Sequence, residues 1–349
     1  MNDGVDALLA ELGDRAAQAR GRVTREDRLE YLQSLVDPFD TVDDPKVVEL
    51  EQVACDGYRR DRIELEVLPG VRFRAYVLEP DGLTGPAPAA LAVHGHGYGS
   101  RQIAGMLPDG NPDPDSTDLY GHFAVQLARQ GLVVIAPDVV GFGERRTDVD
   151  QTYDADAGSS CYRLSTNLIM NGLSLTGLRV TELLGVMDVV LDRPEVDRDR
   201  VGVIGHSGGS LWSMITMALD PRIAAGVLVG FPNTFATSFL AVHHCACNFL
   251  PGLLPVAEQP DLLALVAPRP LFLESGADDP IFPAAGFQTA VASLTQVYTD
   301  MGVADRLGSD LVPGVGHAVT GRTSLGWLVD TLTGSARNEQ GAAQEKVTA

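Results

Sequence analysis

The 349-residue sequence predicts an α/β fold with a mainly parallel central sheet, flanked by helices on both faces. Two observations carry that expectation. From position 89 onward, short apolar, β-branched runs alternate with longer stretches of helical spacing. Before them stands a pair of alternating runs that reads as a hairpin. Strands separated by helices in this way pair in parallel and are buried on both faces.

The elements follow in order. Residues 1–55 read as an acidic, Ala/Leu-rich N-terminal helical extension with a break at "PFDTVDDP". "RIELEVLPG" and "VRFRAYVLEP" then alternate about a Pro-Gly turn, a hairpin signal. The rhythm changes with the strand "AALAVHG", the helix "GHFAVQLARQ" and the strand "GLVVIAPD". "GLRVTELLGVMDVVLDRPEV" is a long helix ended by its proline, and "RVGVIGHS" is the strand after it. "GGSLWSMITMALD", "IAAGVLVGF", "RPLFLESG", "AGFQTAVASLTQVYTDMG", "RLGSDLVPG" and "TSLGWLVDTLTG" complete a domain spanning 56–335, and 336–349 reads as a disordered tail. Three insertions, at 99–118, 146–171 and 231–260, interrupt the alternation. All leave the carboxyl ends of strands, the edge at which open α/β sheets bind ligands. The N-terminal helices are open to three roles: packing on the body, covering the pocket or forming a homo-oligomer contact.

Composition narrows the partners. Lys and Arg total 26 against 47 Asp and Glu, a formal net charge of -21, so nucleic acid and anionic membranes would be repelled. The first residues have no basic start or signal-length apolar core, and no run approaches a membrane-spanning length. The expectation is a cytoplasmic protein acting on a small molecule. Four cysteines (Cys55, Cys161, Cys245, Cys247) are too few for a disulfide framework. Cys245 and Cys247 form C-x-C beside His243 and His244, a zinc-like arrangement. The sequence shows no second ligand cluster, so buried thiols along a pocket wall are expected, with no metal and no cofactor.

"VGVIGHSGGSLW" (201–212) changes character at Ser207, from a β-branched run to small residues that open a helix. The stretch matches G-x-S-x-G, a strand–turn–helix that presents the serine hydroxyl above the sheet. A serine hydroxyl needs a base and an orienting carboxylate to act as a nucleophile. "GADDPIFP" supplies Asp278 or Asp279 after a strand, and "PGVGHAV" supplies His317 in a later loop. This Ser–acid–His order is the one the motif's fold requires. Two backbone N–H donors must hold the oxyanion: Gly208, after the nucleophile, and His96 in "VHGHGYG". His94 and His96 also read as H-x-H, but a turn with glycine at 95, 97 and 99 accounts for the stretch. Tyr98, Arg163 and His206 are candidate substrate contacts. His206 points elsewhere on the turn and is not the serine's base.

With these residues placed, the chain resembles the α/β-hydrolases, and within them the dienelactone-hydrolase and acetyl-xylan-esterase-like branch. The matching stretches are "LAVHGHG", "GLVVIAPDVVGFGERR", the segment from "LTGLRV" to "GHSGGS", "CACNFLPGLL", "LVAPRPLFLESGADDPIFP" and "GVGH", together covering about 60–335. The resemblance implies an α/β-hydrolase fold with Ser207 as nucleophile, His317 as general base and an aspartate of "GADDP" as third member. The family pattern G-x-x-D-x-x-[VF]-P selects Asp279. It further implies a serine hydrolase acting on acetyl or other short-acyl carboxylic esters. The same fold and triad also host C–C bond hydrolases, lyases, acyl transferases and cyclases. Only Trp212 and Trp327 are available as sugar platforms, and Trp212 is expected in the core.

Overall fold

Residues 4–334 are described by a computed structural model. Val5–Arg20 (α1) and Arg25–Val36 (α2) form the N-terminal extension. Thr24 opens α2 with a capping box, in which Asp27 N–H donates to its hydroxyl and Asp27 accepts from its N–H. Both helices dock on the body. Arg20 donates to Leu254 O, Arg28 to Val256 O, and Arg25 to the carbonyls of Ala264, Leu265 and Ala267. Contrary to the expectation of a helical extension over residues 1–55, it is not helical throughout. Lys46–Cys55 (β1) is a strand, because Val47, Val48 and Val53 favour extended backbone and Tyr58–Leu68 (β2) offers it an edge. Lys46, Glu49 and Glu51 lie on this exposed outer strand, charges that discourage further pairing.

Val71–Pro80 (β3) completes the expected hairpin, and Ala87–Val93 (β4) enters the parallel region. Ser100–Ile103 (α3) and Phe123–Arg129 (α4) lead to Val133–Pro137 (β5). The second insertion is built on Asp148–Tyr153 (α5) and Cys161–Met170 (α6). Leu175–Asp192 (α7) precedes Val196–His206 (β6), and Gly208–Leu219 (α8) leads to Ala225–Val229 (β7). Gln259–Leu263 (α9) ends the third insertion. Then come Leu271–Gly276 (β8), Ala284–Asp300 (α10), Leu307–Val312 (β9) and Ser324–Thr333 (α11). The tail expected at 336–349 lies outside the described residues.

Among the described residues the sheet has nine strands in the order β1-β2-β3-β5-β4-β6-β7-β8-β9. The first three pairings are antiparallel and the remaining five parallel, so the hairpin enters a parallel sheet as the sequence predicts. Strands β4, β5, β7 and β8 are buried along their whole length. One core packs α2, α7, α8 and α10 on one face, and a second packs α4 and α11 on the other. The chain leaves β4 for β5 on one side and returns to β6 on the other. That reversal opens a crevice at the carboxyl ends of β4 and β6, where such sheets take ligands.

Helix α7 crosses α2 closely enough that a Cβ on Gly177 would lie 2.1 Å from Leu35 O. Alanine favours a helix over glycine by about 1 kcal/mol, but this overlap is with backbone that cannot swing aside. Gly177→Ala should therefore lower stability by about 1–3 kcal/mol, read as a lower urea midpoint. A raised midpoint would mean that α2 is not held against α7.

Candidate active site

Ser207 occupies the turn between β6 and α8 with φ 57° and ψ -123°, a conformation that side chains rarely adopt. The turn closes because glycine stands on both sides of it. A Cβ on Gly205 would lie 2.4 Å from Gly209 O, and one on Gly209 would lie 2.3 Å from Val93 O. Ser207 N–H donates to Val229 O at 2.8 Å, which ties the elbow to β7. Gly208 is the first residue of α8, so its N–H belongs to the unpaired donors at a helix start. Trp212, one turn further on, is fully buried in the core, as the sequence suggests.

His317 and Asp279 meet beside this elbow. His317 Nδ1 lies 2.7 Å from Asp279 Oδ2, while Asp279 Oδ1 accepts the N–H groups of Ile281 and Phe282. Asp279 is buried, whereas Asp278 faces solvent and uses its own N–H to bond Val315 O. A Cβ on Gly230, which directly follows the Val229 that anchors Ser207, would lie 3.1 Å from His317 Cε1. The serine and the histidine thus flank the end of β7. Sequence reasoning missed what holds the histidine loop. Buried Glu274 accepts from Thr320 N–H, Thr320 Oγ1, Gly321 N–H and Ser324 Oγ, and so fixes the chain just past His317. Its only sequence signal is a carboxylate inside the apolar strand "LFLESG".

The turn after β4 backs onto the serine, with a Cβ on Gly95 lying 3.1 Å from Ser207 Cβ. Tyr120 Oη donates to His96 O at 2.9 Å, and Asp138 Oδ1 accepts from Ser100 N–H and Oγ. His94 is buried, with Nδ1 at 2.7 Å from Gly95 O and Nε2 accepting from Val139 N–H. Tyr98 lines a cavity of about 920 Å³ between the first two insertions, together with Arg101, Gln102, Leu119, Arg146 and Ser159. Arg163 does not line it and pairs instead with Asp150 at 2.7 Å. His206 is fully buried, packed between Tyr120 and His317, whose ring centroid is 4.6 Å away. Burial, then repulsion from His317, holds its pKa well below the ordinary imidazole value. Its place is in the wall behind His317, with no exposed surface to meet the ligand that the sequence reading assigned to it.

The C-x-C pair also acquires company that the sequence does not reveal. His96 Nε2 lies 3.9 Å from Cys161 Sγ and 3.6 Å from Cys247 Sγ. With Cys245 these four ligand atoms all lie within 4.8 Å of one another. His243 and His244, the neighbours in sequence, are not part of the group. These four residues could hold a metal ion.

The crevice, the strained serine and the buried Asp–His pair describe the α/β-hydrolase class. A model described as "Abhydrolase family" matches residues 23–285, and the chain belongs to this family of hydrolases. It is 29% identical over 235 residues to "Putative hydrolase YtaP" of Bacillus subtilis (strain 168), covering 66% of this chain and 73% of that protein. It is 27% identical over 222 residues to "Esterase YjfP" of Escherichia coli (strain K12), covering 59% and 79%. A solved structure of a "putative acetyl xylan esterase" from Bacteroides fragilis shares the fold. That similarity has a TM-score of 0.70 at 21% identity and covers 82% of this chain and 74% of that one. No helix among the described residues is long and apolar enough to cross a membrane.

The buried histidines should make the fold sensitive to acid. Burial lowers the pKa of His94 to about 4, against a partial offset from Asp138. An unfolded chain binds a proton there near its ordinary value of about 6.5. Between those values the unfolded state holds the extra proton, so stability falls as pH drops. Urea midpoints should decline from about pH 6.5 towards about pH 4. His94→Gln should start lower at neutral pH but decline less steeply; an unchanged slope would remove His94 from the account.

Proposed function

We propose that the protein is a serine esterase that hydrolyses acetyl or other short-acyl carboxylic esters of a small molecule. The observation that carries this reading is the strained Ser207 beside the Asp279–His317 hydrogen bond. Ser207 Oγ attacks the ester carbonyl as His317 takes its proton, and buried Asp279 keeps the imidazole in the tautomer that can accept it. The N–H groups of His96 and Gly208 receive the developing oxyanion, aided by the positive end of α8. His317 returns the proton to the leaving alcohol, and the acyl group stays on Ser207. Water, deprotonated by His317, then attacks the acyl carbonyl and releases the carboxylic acid, restoring the serine. The family membership and the name of the esterase relative support ester chemistry. The cavity beside Tyr98 is also lined by His96, whose N–H is assigned to the oxyanion.

A fluorophosphonate probe should label the protein and fail on Ser207→Ala, and p-nitrophenyl acetate should be turned over. Labelling that survives in Ser207→Ala would overturn the nucleophile. Labelling without ester turnover would favour the same triad used for lyase or acyl-transfer chemistry. Asp279→Asn should lower kcat by up to about 10⁴-fold, because it destabilises the working tautomer. Asp278→Asn, on an exposed carboxylate, should change it little. The reverse ranking would exchange their roles.

A further inference from the structure

His96, Cys161, Cys245 and Cys247 come from three segments far apart in sequence: the turn after β4, the start of α6 and the third insertion. We infer that His96 Nε2 and the three sulfurs form a tetrahedral site for one structural zinc ion. Zn–S bonds of about 2.3 Å and a Zn–N bond of about 2.0 Å place the ligands about 3.8 Å apart for S···S and about 3.5 Å for S···N. The distances of 3.6 and 3.9 Å from His96 Nε2 to Cys247 and Cys161, within a group no wider than 4.8 Å, need only small shifts to meet that geometry. Two cysteines joined as a disulfide would leave a third thiol and an imidazole pressed against them.

Charge points the same way. Arg179 is 1% exposed, with its guanidinium 4.3 Å from the Trp212 ring and 4.7 Å from the Phe142 ring. Among the described residues no carboxylate pairs with it. It donates to Val140 O and lies 3.3 Å from Cys161 Sγ. A buried cation needs a compensating anion. Zinc binding by three thiols and a neutral imidazole releases three protons and leaves a complex with one net negative charge. Arg179 then neutralises it. Cys161 is also the first residue of α6, where the helix dipole favours a negative sulfur. Four protein ligands leave no open position, so the ion is structural and takes no substrate.

The surroundings hold the ligands in place. Thr176 Oγ1, at the start of α7, donates to Cys247 O at 2.9 Å, and the His96 ring packs edge-on against Phe142. The ion would pin both insertions to the turn that carries His96. Asn248, next to Cys247, has its Oδ1 3.5 Å from where a Cβ on Gly208 would stand. The site therefore borders both N–H groups assigned to the oxyanion, a link that rests on the esterase reading. The metal content does not rest on it.

The test is elemental analysis and native mass spectrometry of the full chain purified with a non-thiol reductant. One zinc ion per chain is expected. Cobalt exchanged into the site should give thiolate charge-transfer bands and strong tetrahedral d–d bands. Cys161→Ala should lose the metal. If that buried substitution prevents folding, Cys245→Ser, at a part-exposed position, reads the same loss. Chelation should lower the melting temperature and expose three more thiols to a disulfide reagent. A folded wild-type chain that takes up no zinc on reconstitution, that holds iron instead, or that carries a disulfide among these cysteines would overturn the site. Fluorophosphonate labelling of Ser207, read on the same sample, separates this outcome from failure of the esterase reading.

Discussion

The closeness with which α8 crosses β6 and β4 at residue 207 sets the rest of the candidate site. Ser207 holds backbone angles that cost about 1–3 kcal/mol, and the cost is borne because both sides of the turn are over-determined. Ser210 Oγ donates to Gly205 O at 2.6 Å and accepts from Val229 N–H at 2.9 Å, binding the first turn of the helix to two strands. Ser207 N–H adds a third tie at Val229 O. With glycine at 205 and 209 the helix reaches this position; with any side chain there it collides with backbone oxygen. From that contact follow the place of Ser207 at the corner of the turn and that of Gly208 as the first residue of α8. It also makes room for the turn after β4, which packs directly on the serine.

Around this crossing the protein buries charge, and each buried group has a different solution. Arg145 and Glu182 form a two-point pair with side chains 8% and 4% exposed, and Arg145 lies over the Phe73 ring. Removing one partner of such a pair costs about 3–5 kcal/mol, because the other charge is left uncompensated. Glu274 forms no ion pair among the described residues and is satisfied by two backbone N–H groups and two hydroxyls from beyond His317. Charge-assisted hydrogen bonds of this kind are roughly twice as strong as neutral ones. They locate the histidine loop more firmly than apolar packing of its glycines could. Arg179 is the third case, a cation whose neighbours are aromatic rings and sulfur.

The parallel sheet, the order of its elements and the serine elbow were legible because each has a local sequence signature. β-branched runs, a Pro-Gly turn and small residues about Ser207 leave little choice. The pairing of His317 with a buried aspartate was legible from order along the chain and resemblance to a family pattern. Residues 46–55 were misread: an acidic composition outweighed the β-branched valines that pair with β2. Glu274 and the meeting of Cys161 with His96 were illegible for another reason. Both depend on which loop or insertion folds against which strand, and neither leaves a periodic or spaced pattern in the chain. His206 shows the reverse error. Its place beside the serine suggested a ligand contact, but alternation along β6 turns its ring into the wall against Tyr120 and His317.

The second insertion shows why anchoring by a few polar or sulfur contacts matters more here than burial. Helix α6 leaves Tyr162 77% and Met170 86% exposed, and fully buries only Cys161 and Ser165. Burying an apolar side chain completely is worth about 1.5–3 kcal/mol, and α6 has few such side chains to set against the entropy of ordering its ten residues. Besides the part-buried Leu164 and Leu168, its polar anchors cluster at its first turn. Ser160 N–H donates to Gly141 O, Ser160 Oγ accepts from Thr147 N–H, and Cys161 Sγ lies against Arg179 and His96. The contacts at Ser160 and Cys161 stand between the cavity wall that ends at Ser159 and the turn that backs onto Ser207.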